Sequence, residues 1–211
     1  GNGAFTYQWY SNINNNNTSG SLISGANSPT YTPATTNVGT LHYYCVISQA
    51  TVGCAVTSAT ATVTIETSPS ITNQPPSSTV CLGGTPTPLA FTFANGQGTV
   101  SYQWYSNTVN NTTTGTLLNL ETNATYAPLA TAVGTMYYYC QVTFSGITGA
   151  CATIVTNTAE IIVTPSATIN QQPQTTQSIC EGSNLPAPLS VSYSNGTGSP
   201  TYQWYSNTVN S

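Results

Sequence analysis

The sequence predicts an all-β chain of tandem antiparallel β-sandwich domains, and three observations carry that prediction. The hexapeptide Tyr-Gln-Trp-Tyr-Ser-Asn stands at residues 7–12, 102–107 and 202–207, at offsets of 95 and 100 residues. Short runs alternate apolar and polar residues, while Asn, Gly, Thr and Pro fill the stretches between them. No segment carries a helical period.

The repeat fixes the organisation. A Gly-x-Gly precedes each hexapeptide, starting at Gly1, Gly96 and Gly196; VGTLHYYC at 38–45 matches VGTMYYYC at 133–140. SITNQP near Ile71 matches ATINQQP near Ile169, and TVCLGG around Cys81 matches SICEGS around Cys180. A period of 95–100 residues is too long for a solenoid turn and suits a small autonomous domain in an array. Gly1 and Gly196 hold equivalent positions, so the 211 residues read as two periods plus a 16-residue overlap. The expectation is a window from a longer repetitive polypeptide. Cuts at the Pro- and Ser-containing junctions 67–71 and 164–169 give three pieces. These are the back of one domain (1–67), a complete domain (68–165) and the front of a third (166–211).

Within the complete unit the strand candidates are PLAFTF at 88–93, SYQWY at 101–105, YYYCQVTF at 137–144 and TAEIIV at 158–163. Several short antiparallel strands in about 100 residues read as a sandwich. Fourteen Tyr, three Trp and four Phe supply material for a core, which separates the chain from disordered sequences of similar polarity. No apolar run approaches the ~20 residues that a membrane helix needs.

The residues of the complete unit resemble the immunoglobulin superfamily. An Ile-x-x-Gln-Pro at 71–75 and a Val-x-x-Gly at 80–83 lead to Phe91 and Phe93, then Trp104, then a Tyr-x-Cys at 138–140. By that resemblance Trp104 is the buried strand-C tryptophan, and Tyr138 the tyrosine-corner residue before the strand-F cysteine Cys140. Trp9, Trp204 and Tyr43 hold the matching positions of the other copies, so Trp9, Tyr43, Trp104, Tyr138 and Trp204 form the expected structural core. The pattern departs in two places: Phe91 or Phe93 occupies the region of the strand-B cysteine, and no Asp precedes Tyr138. More narrowly, the order YQWYSN, SGSLISGANSPTYTP, VGTLHYYC, TSATATVTI looks like the repeats of very large surface proteins of Bacteroidota. Those include gliding and adhesion proteins exported by the type IX route.

Six cysteines in a chain of this composition point to an oxidising compartment. Cys45 with Cys54, and Cys140 with Cys151, recur late in each unit; Cys81 and Cys180 recur early. The late separations of 9 and 11 residues share a parity, which favours a cross-strand disulfide in each copy. A rival reading pairs Cys81 with Cys151 and leaves Cys140 as a buried thiol. A third joins Cys81 to a neighbouring domain or chain, as an odd count per repeat allows.

Catalysis and cofactors are not expected. His42 is the single histidine and its counterpart is Tyr137; the only acids, Glu66, Glu121, Glu160 and Glu181, are scattered. Four dispersed carboxylates do not make a calcium site, and no CxxC suggests zinc. Without Lys or Arg, nothing neutralises phosphates, so nucleic acid is not an expected partner. Asn-x-Ser/Thr at Asn16, Asn17, Asn110, Asn111, Asn123 and Asn195 arises readily in so Asn/Thr-rich a chain. The expected role is mechanical: an extracellular, cell-surface stalk or fibre of a giant adhesin. Its partners are neighbouring repeats, with other copies in a fibre, surface polysaccharide or an abiotic surface as further candidates. The alternatives are a spacer or carbohydrate-binding module of a secreted enzyme, and a laterally assembled matrix fibre.

Overall fold

The computed structural model describes residues 4–49, 53–147, 151–184 and 187–208. The chain divides into two compact units, Gly1–Pro69 with Asn95–Gln97, and Ser70–Ala94 with Gly98–Ser211. The first unit carries β1 (Phe5–Asn12), β2 (Ser21–Leu22), β3 (Gly39–Gln49), β4 (Ala55–Thr57) and β5 (Ala61–Ile65). They form one antiparallel sheet in the order β2-β1-β3-β4, with β5 continuing the β4 edge along β3.

The second unit begins with β6 (Ser70–Asn73), β7 (Ser78–Cys81), β8 (Leu89–Ala90) and β9 (Thr92–Ala94). Next come β10 (Val100–Asn107), β11 (Thr116–Leu117), β12 (Thr125–Tyr126), β13 (Gly134–Phe144), β14 (Thr153–Val155) and β15 (Ala159–Thr164). One sheet runs β11-β10-β13-β15-β7, antiparallel except for the parallel β15–β7 edge. Facing it, β6 pairs with β9 and β12 with β8. An opening strand that is split between both sheets, with this order around a tryptophan strand, defines the architecture. The fold is an immunoglobulin-like antiparallel β-sandwich.

Strand alternation decides what lies between the sheets. Tyr138, Cys140, Val142 and Phe144 face inward from β13, and Ala159, Ile161 and Val163 from β15. Leu89 and Phe91 meet them from the opposite layer, and Trp104 is fully enclosed. Every second residue of β15 is buried, as a half-covered strand requires. The strand is interrupted once. The β13–β14 pairing sums to a register one residue different from that of β13–β15, so residues 156–158 bulge. Thr156 sits in the bulge and its hydroxyl accepts the Cys140 N–H at 3.0 Å, replacing a ladder carbonyl. Ser58 does the same for Cys45 at 2.9 Å in the first unit.

The sheet's outer face is also partly covered. Tyr105 stacks on Tyr139 at 5.1 Å and Tyr10 on Tyr44 at 5.2 Å, both pairs almost parallel. A glycine closes over each stack. A Cβ on Gly115 would stand 2.5 Å from the Tyr139 hydroxyl, and one on Gly20 would stand 2.8 Å from Tyr44. Only a residue without a side chain lets the loop approach so closely.

The third copy contributes β16 (Thr168–Gln171) and β17 (Ser192–Ser194), paired with a register shift at Ile169/Gln171 that reproduces the one at Ile71/Asn73. Its hexapeptide does not form a strand, in contrast to the expectation for this motif. The physical reason is the ladder. In the first two copies the motif pairs residue by residue with β3 or β13, and the counterpart of those strands is not among these 211 residues.

Two substitutions test this packing. Trp104→Ala is expected to cost about 3–5 kcal/mol in urea denaturation of the full chain, from lost burial and the cavity left behind. Gly115→Ala, a change in a partly buried loop, is expected to cost about 1–3 kcal/mol because Tyr139 must move off its stack.

Candidate functional site

The chemically distinctive side chains converge on the interior beside the strand-C tryptophan. Trp104 lies opposite Cys140 in the β10–β13 register, and its indole N–H donates to the Asn123 carbonyl at 2.9 Å. Phe91 meets the indole edge-on at 5.9 Å; Tyr126 lies 5.8 Å from it, and Tyr138 lies 5.5 Å beyond Tyr126. Phe91 thus fills the place of the absent strand-B cysteine, and no sulfur remains there to meet Cys140. In the first unit Trp9, Tyr31 and Tyr43 repeat the aromatic row, and Trp9 donates to Ser28 with the same 2.9 Å length and sequence separation.

The five expected core residues are not equally enclosed. Trp104, Tyr138 and Tyr43 are buried, and Trp9 is partly buried. Tyr31 and Tyr43 also line a hollow of about 580 Å³ together with Ile23, Leu41, Val63 and Ile65. Trp204 is 50% exposed, which corrects its place in the core list. Its hexapeptide makes no ladder pairing of the kind that covers Trp104.

The late disulfides are corrected too, because Cys45 and Cys140 are free thiols. Ladder register explains it. Val46 pairs with Thr57, so Cys45 faces Ser58, while Cys54 faces Gln49 at the loop end. Four residues of strand separate the two cysteines, roughly 13 Å at 3.3 Å per residue. Cys140 faces Thr156, and Cys151 stands opposite Ser145, roughly 17 Å along. Disulfides need Cα atoms within about 7 Å. The Cys81–Cys151 pairing fails on the same ground. Cys81 aligns with Thr164 at one end of the sheet and Cys151 lies at the other, about 40 Å away along the strands. Cys81 and Cys180 are free thiols as well, Cys180 exposed and Cys81 partly so.

The titratable groups make surface pairs. His42 Nδ1 lies 2.9 Å from Thr62 Oγ1, and its counterpart Tyr137 donates to Glu160 at 3.0 Å. That bond, first among its causes, raises the Tyr137 hydroxyl above its ordinary value. Among the described residues no three His, Cys, Asp or Glu side chains gather into a possible metal site.

The Asn/Thr-rich loops are ordered by their own amides, a feature the sequence did not single out. Asn107 is buried; its Nδ2 donates to Asn111 O and Oδ1, and its Oδ1 accepts the Val109 N–H. Asn12 makes the matching bonds to Asn16 and Asn14. The identity of the third polar letter of YQWYSN was therefore the available signal: an invariant Asn closing a strand into an Asn-rich loop. Beside this loop, Asn110, Asn111, Thr112, Thr113, Asn157 and Thr158 line an open polar hollow of about 500 Å³. Thr158 donates to Asn110 across it.

Residues 72–165 match the family model described as a domain of unknown function, DUF8696, which is less than half of the chain. No curated protein matches. Among solved structures, the chain is similar to Sidekick-1 immunoglobulin domains 1–5 at 16% identity and a TM-score of 0.33. That likeness covers 81% of this chain and 37% of that one. The immunoglobulin-like assignment rests on the strand order and core above.

Thiol chemistry gives a direct check of the site. Burial pushes the Cys140 thiol up to about 12, against a weaker downward pull from a hydrogen bond with the Gln103 backbone. An unfolded thiol ionises near pH 8.5, so between there and about 12 the unfolded chain releases a proton that the folded chain keeps. Stability should therefore fall as pH rises through that window. Burial shifts Tyr126 and Tyr138 the same way, so the measurement is the difference in slope between the native chain and Cys140→Ala. In parallel, iodoacetamide should label Cys81 and Cys180 in the folded chain, and Cys45 and Cys140 only after unfolding.

Proposed function

We propose that the chain is a stretch of structural scaffold: immunoglobulin-like repeats in series, forming an extracellular stalk or fibre of a giant cell-surface adhesin. The observation that carries this reading is that the distinctive aromatic and amide side chains are engaged in packing that recurs from the first repeat to the second. The indole bonds of Trp9 and Trp104, the Asn12 and Asn107 loop caps, and the two outer tyrosine stacks superpose in role at a constant 95-residue offset. Packing for rigidity that is repeated from one copy to another is what a scaffold needs and what a unique catalytic site does not.

The resemblance of the repeats to those of Bacteroidota surface proteins supports export by the type IX route and a place in adhesion or gliding. Neighbouring repeats are then the main partners. Specific recognition lies mainly outside these residues. Weak contacts of the Asn/Thr loops with polysaccharide or an abiotic surface add up along an array through multivalency.

The test is to immobilise the 211-residue chain and measure its binding to glass, polysaccharides and cells as repeat number is increased. Weak binding that rises steeply with repeat number is the expected result. Tight binding of a single chain to one ligand would sink the scaffold reading.

A further inference from the structure

We propose that the Asn-Gly-x-Gly turn before the hexapeptide is a docking peg, which clasps a repeat to the connection leaving the repeat before it. The proposal deepens the tandem-array reading above, because a stalk needs junctions that resist bending. It does not depend on the adhesion role.

The seat is built where the second repeat ends. β7 and β15 run parallel and finish side by side, with Cys81 level with Thr164. The Leu82 N–H donates to the Thr164 carbonyl at 2.8 Å, and the Thr164 hydroxyl donates to the Val80 carbonyl at 3.3 Å. The Gly83 N–H donates to the Ala130 carbonyl at 2.8 Å, which holds the residues after β7 against the body of the repeat. The connection through Pro165 and Ser166 leaves from this edge. Its proline fixes one backbone angle and restricts Thr164 to extended conformations. The Ser166 hydroxyl then donates to the Leu82 carbonyl at 3.0 Å. Leu82 thus holds the chain on both sides of the proline, once through its N–H and once through its carbonyl.

The peg comes from the third copy. Asn195, Gly196 and Gly198 take left-handed φ values of 60°, 81° and 85°. The Gly196 N–H donates to the Pro165 carbonyl at 3.2 Å, and Thr197 Oγ1 lies 4.0 Å from the Cys81 sulfur. A Cβ on Gly196 would stand 3.1 Å from that of Ala167, so a side chain there would crowd the turn off the connection. The connection is gripped from two sides: by Leu82 of the repeat it leaves, and by the turn of the repeat it enters.

The second copy carries the same peg. Asn95, Gly96 and Gly98 repeat the conformation, at φ values of 61°, 94° and 85°. Asn95 Nδ2 donates at 3.3 Å to the carbonyl of Ser68, in the connection that precedes this copy. Asn95–Gln97 groups with the compact unit of the first repeat, while the residues on either side group with their own. The far end of the turn is fixed to its own repeat. A Cβ on Gly98 would overlap the Ser145 carbonyl oxygen. The Thr99 N–H donates to Ser145 Oγ, and the Ser145 N–H returns to the Thr99 carbonyl, both at 2.9 Å. Ser145 directly follows β13, so the peg is anchored on a central strand and reaches from there to the connection. Swinging the third copy about Pro165 would break the Gly196 and Ser166 bonds together. The second and third repeats therefore reorient as one body, and the neutral bonds keep that grip at high salt.

Nuclear magnetic relaxation of the nitrogen-labelled 211-residue chain tests the clasp. The amides of β10, β13 and β15 and those of β16 and β17 should report one common rotational correlation time, and the Gly196 N–H should be protected from solvent exchange. Ser166→Ala combined with Thr197→Val removes two hydroxyls of the junction. Exchange at Gly196 should then quicken by about twofold to tenfold, the worth of one neutral hydrogen bond, and β16 and β17 should reorient faster. Unchanged exchange at the Trp104 indole N–H and a retained β16–β17 ladder show that both repeats are still folded. If the double variant loses that ladder, the correlation times of the native chain decide alone. Separate correlation times in the native chain, or a folded double variant indistinguishable from it, overturn the clasp and leave the scaffold reading standing. The binding assay above tests that reading separately.

Discussion

The enclosed indole of Trp104 is the contact on which the rest of the complete repeat depends. Its ring bridges the two layers: β10 carries it, Phe91 meets its edge from the opposing sheet, and Tyr126 extends the contact towards Tyr138. Its N–H is fully buried and donates to the Asn123 carbonyl, which ties down the path of the loop after β11. Gln103, one residue earlier, points the other way and donates to Leu118 O at 2.7 Å, tying the same loop to the outer face. Two adjacent side chains of one strand thus bind one loop from both sides of the sheet. That is why the dipeptide Gln-Trp recurs intact in every copy.

A chain without Lys or Arg must satisfy its polar groups by other means. Amide and hydroxyl side chains do the work that ion pairs share in ordinary domains. Asn12 and Asn107 close the loop after strand C, Ser58 and Thr156 supply an acceptor where the last strand bulges, and paired threonines line exposed ladders, as at Thr40–Thr64 and Thr72–Thr92. These are short, neutral bonds with little sensitivity to screening by salt. The cost falls on sequence freedom. A buried Asn replaced by an apolar residue leaves loop N–H groups without acceptors, each worth roughly 1–3 kcal/mol.

Much of this architecture was legible in the sequence. Alternation placed Leu89, Phe91 and Phe93 on one face, and the resemblance to the immunoglobulin superfamily implied a buried Trp104 on one strand and Cys140 on another. Register was not legible. The parity of the cysteine separations is compatible with cross-strand pairing, but it does not say where the hairpin turns. The turn leaves Cys54 four residues and Cys151 five residues beyond the level of the core thiol. The one-residue bulge near Thr156 is equally invisible to composition, because its signal is a hydroxyl replacing a ladder carbonyl.

The substitution of Phe91 for a strand-B cysteine links these strands of argument. In a sandwich stapled from B to F, the disulfide sits against the tryptophan and the core is locked covalently. Here an aromatic ring occupies one side of that position, so the strand-F cysteine keeps its hydrogen, and its thiol points to the Gln141 carbonyl at 3.6 Å. Cohesion within the repeat then comes from aromatic area and not from a covalent bond. A phenylalanine edge-on to a tryptophan adds about 0.5–1.5 kcal/mol beyond its burial. Cys81 and Cys180 lie outside this core, and each closes a tight turn, with the Gly84 and Ser183 N–H groups donating to their carbonyls at 2.8 and 3.1 Å. Within the repeat, aromatic rings thus supply the cohesion around a buried, unoxidised strand-F thiol.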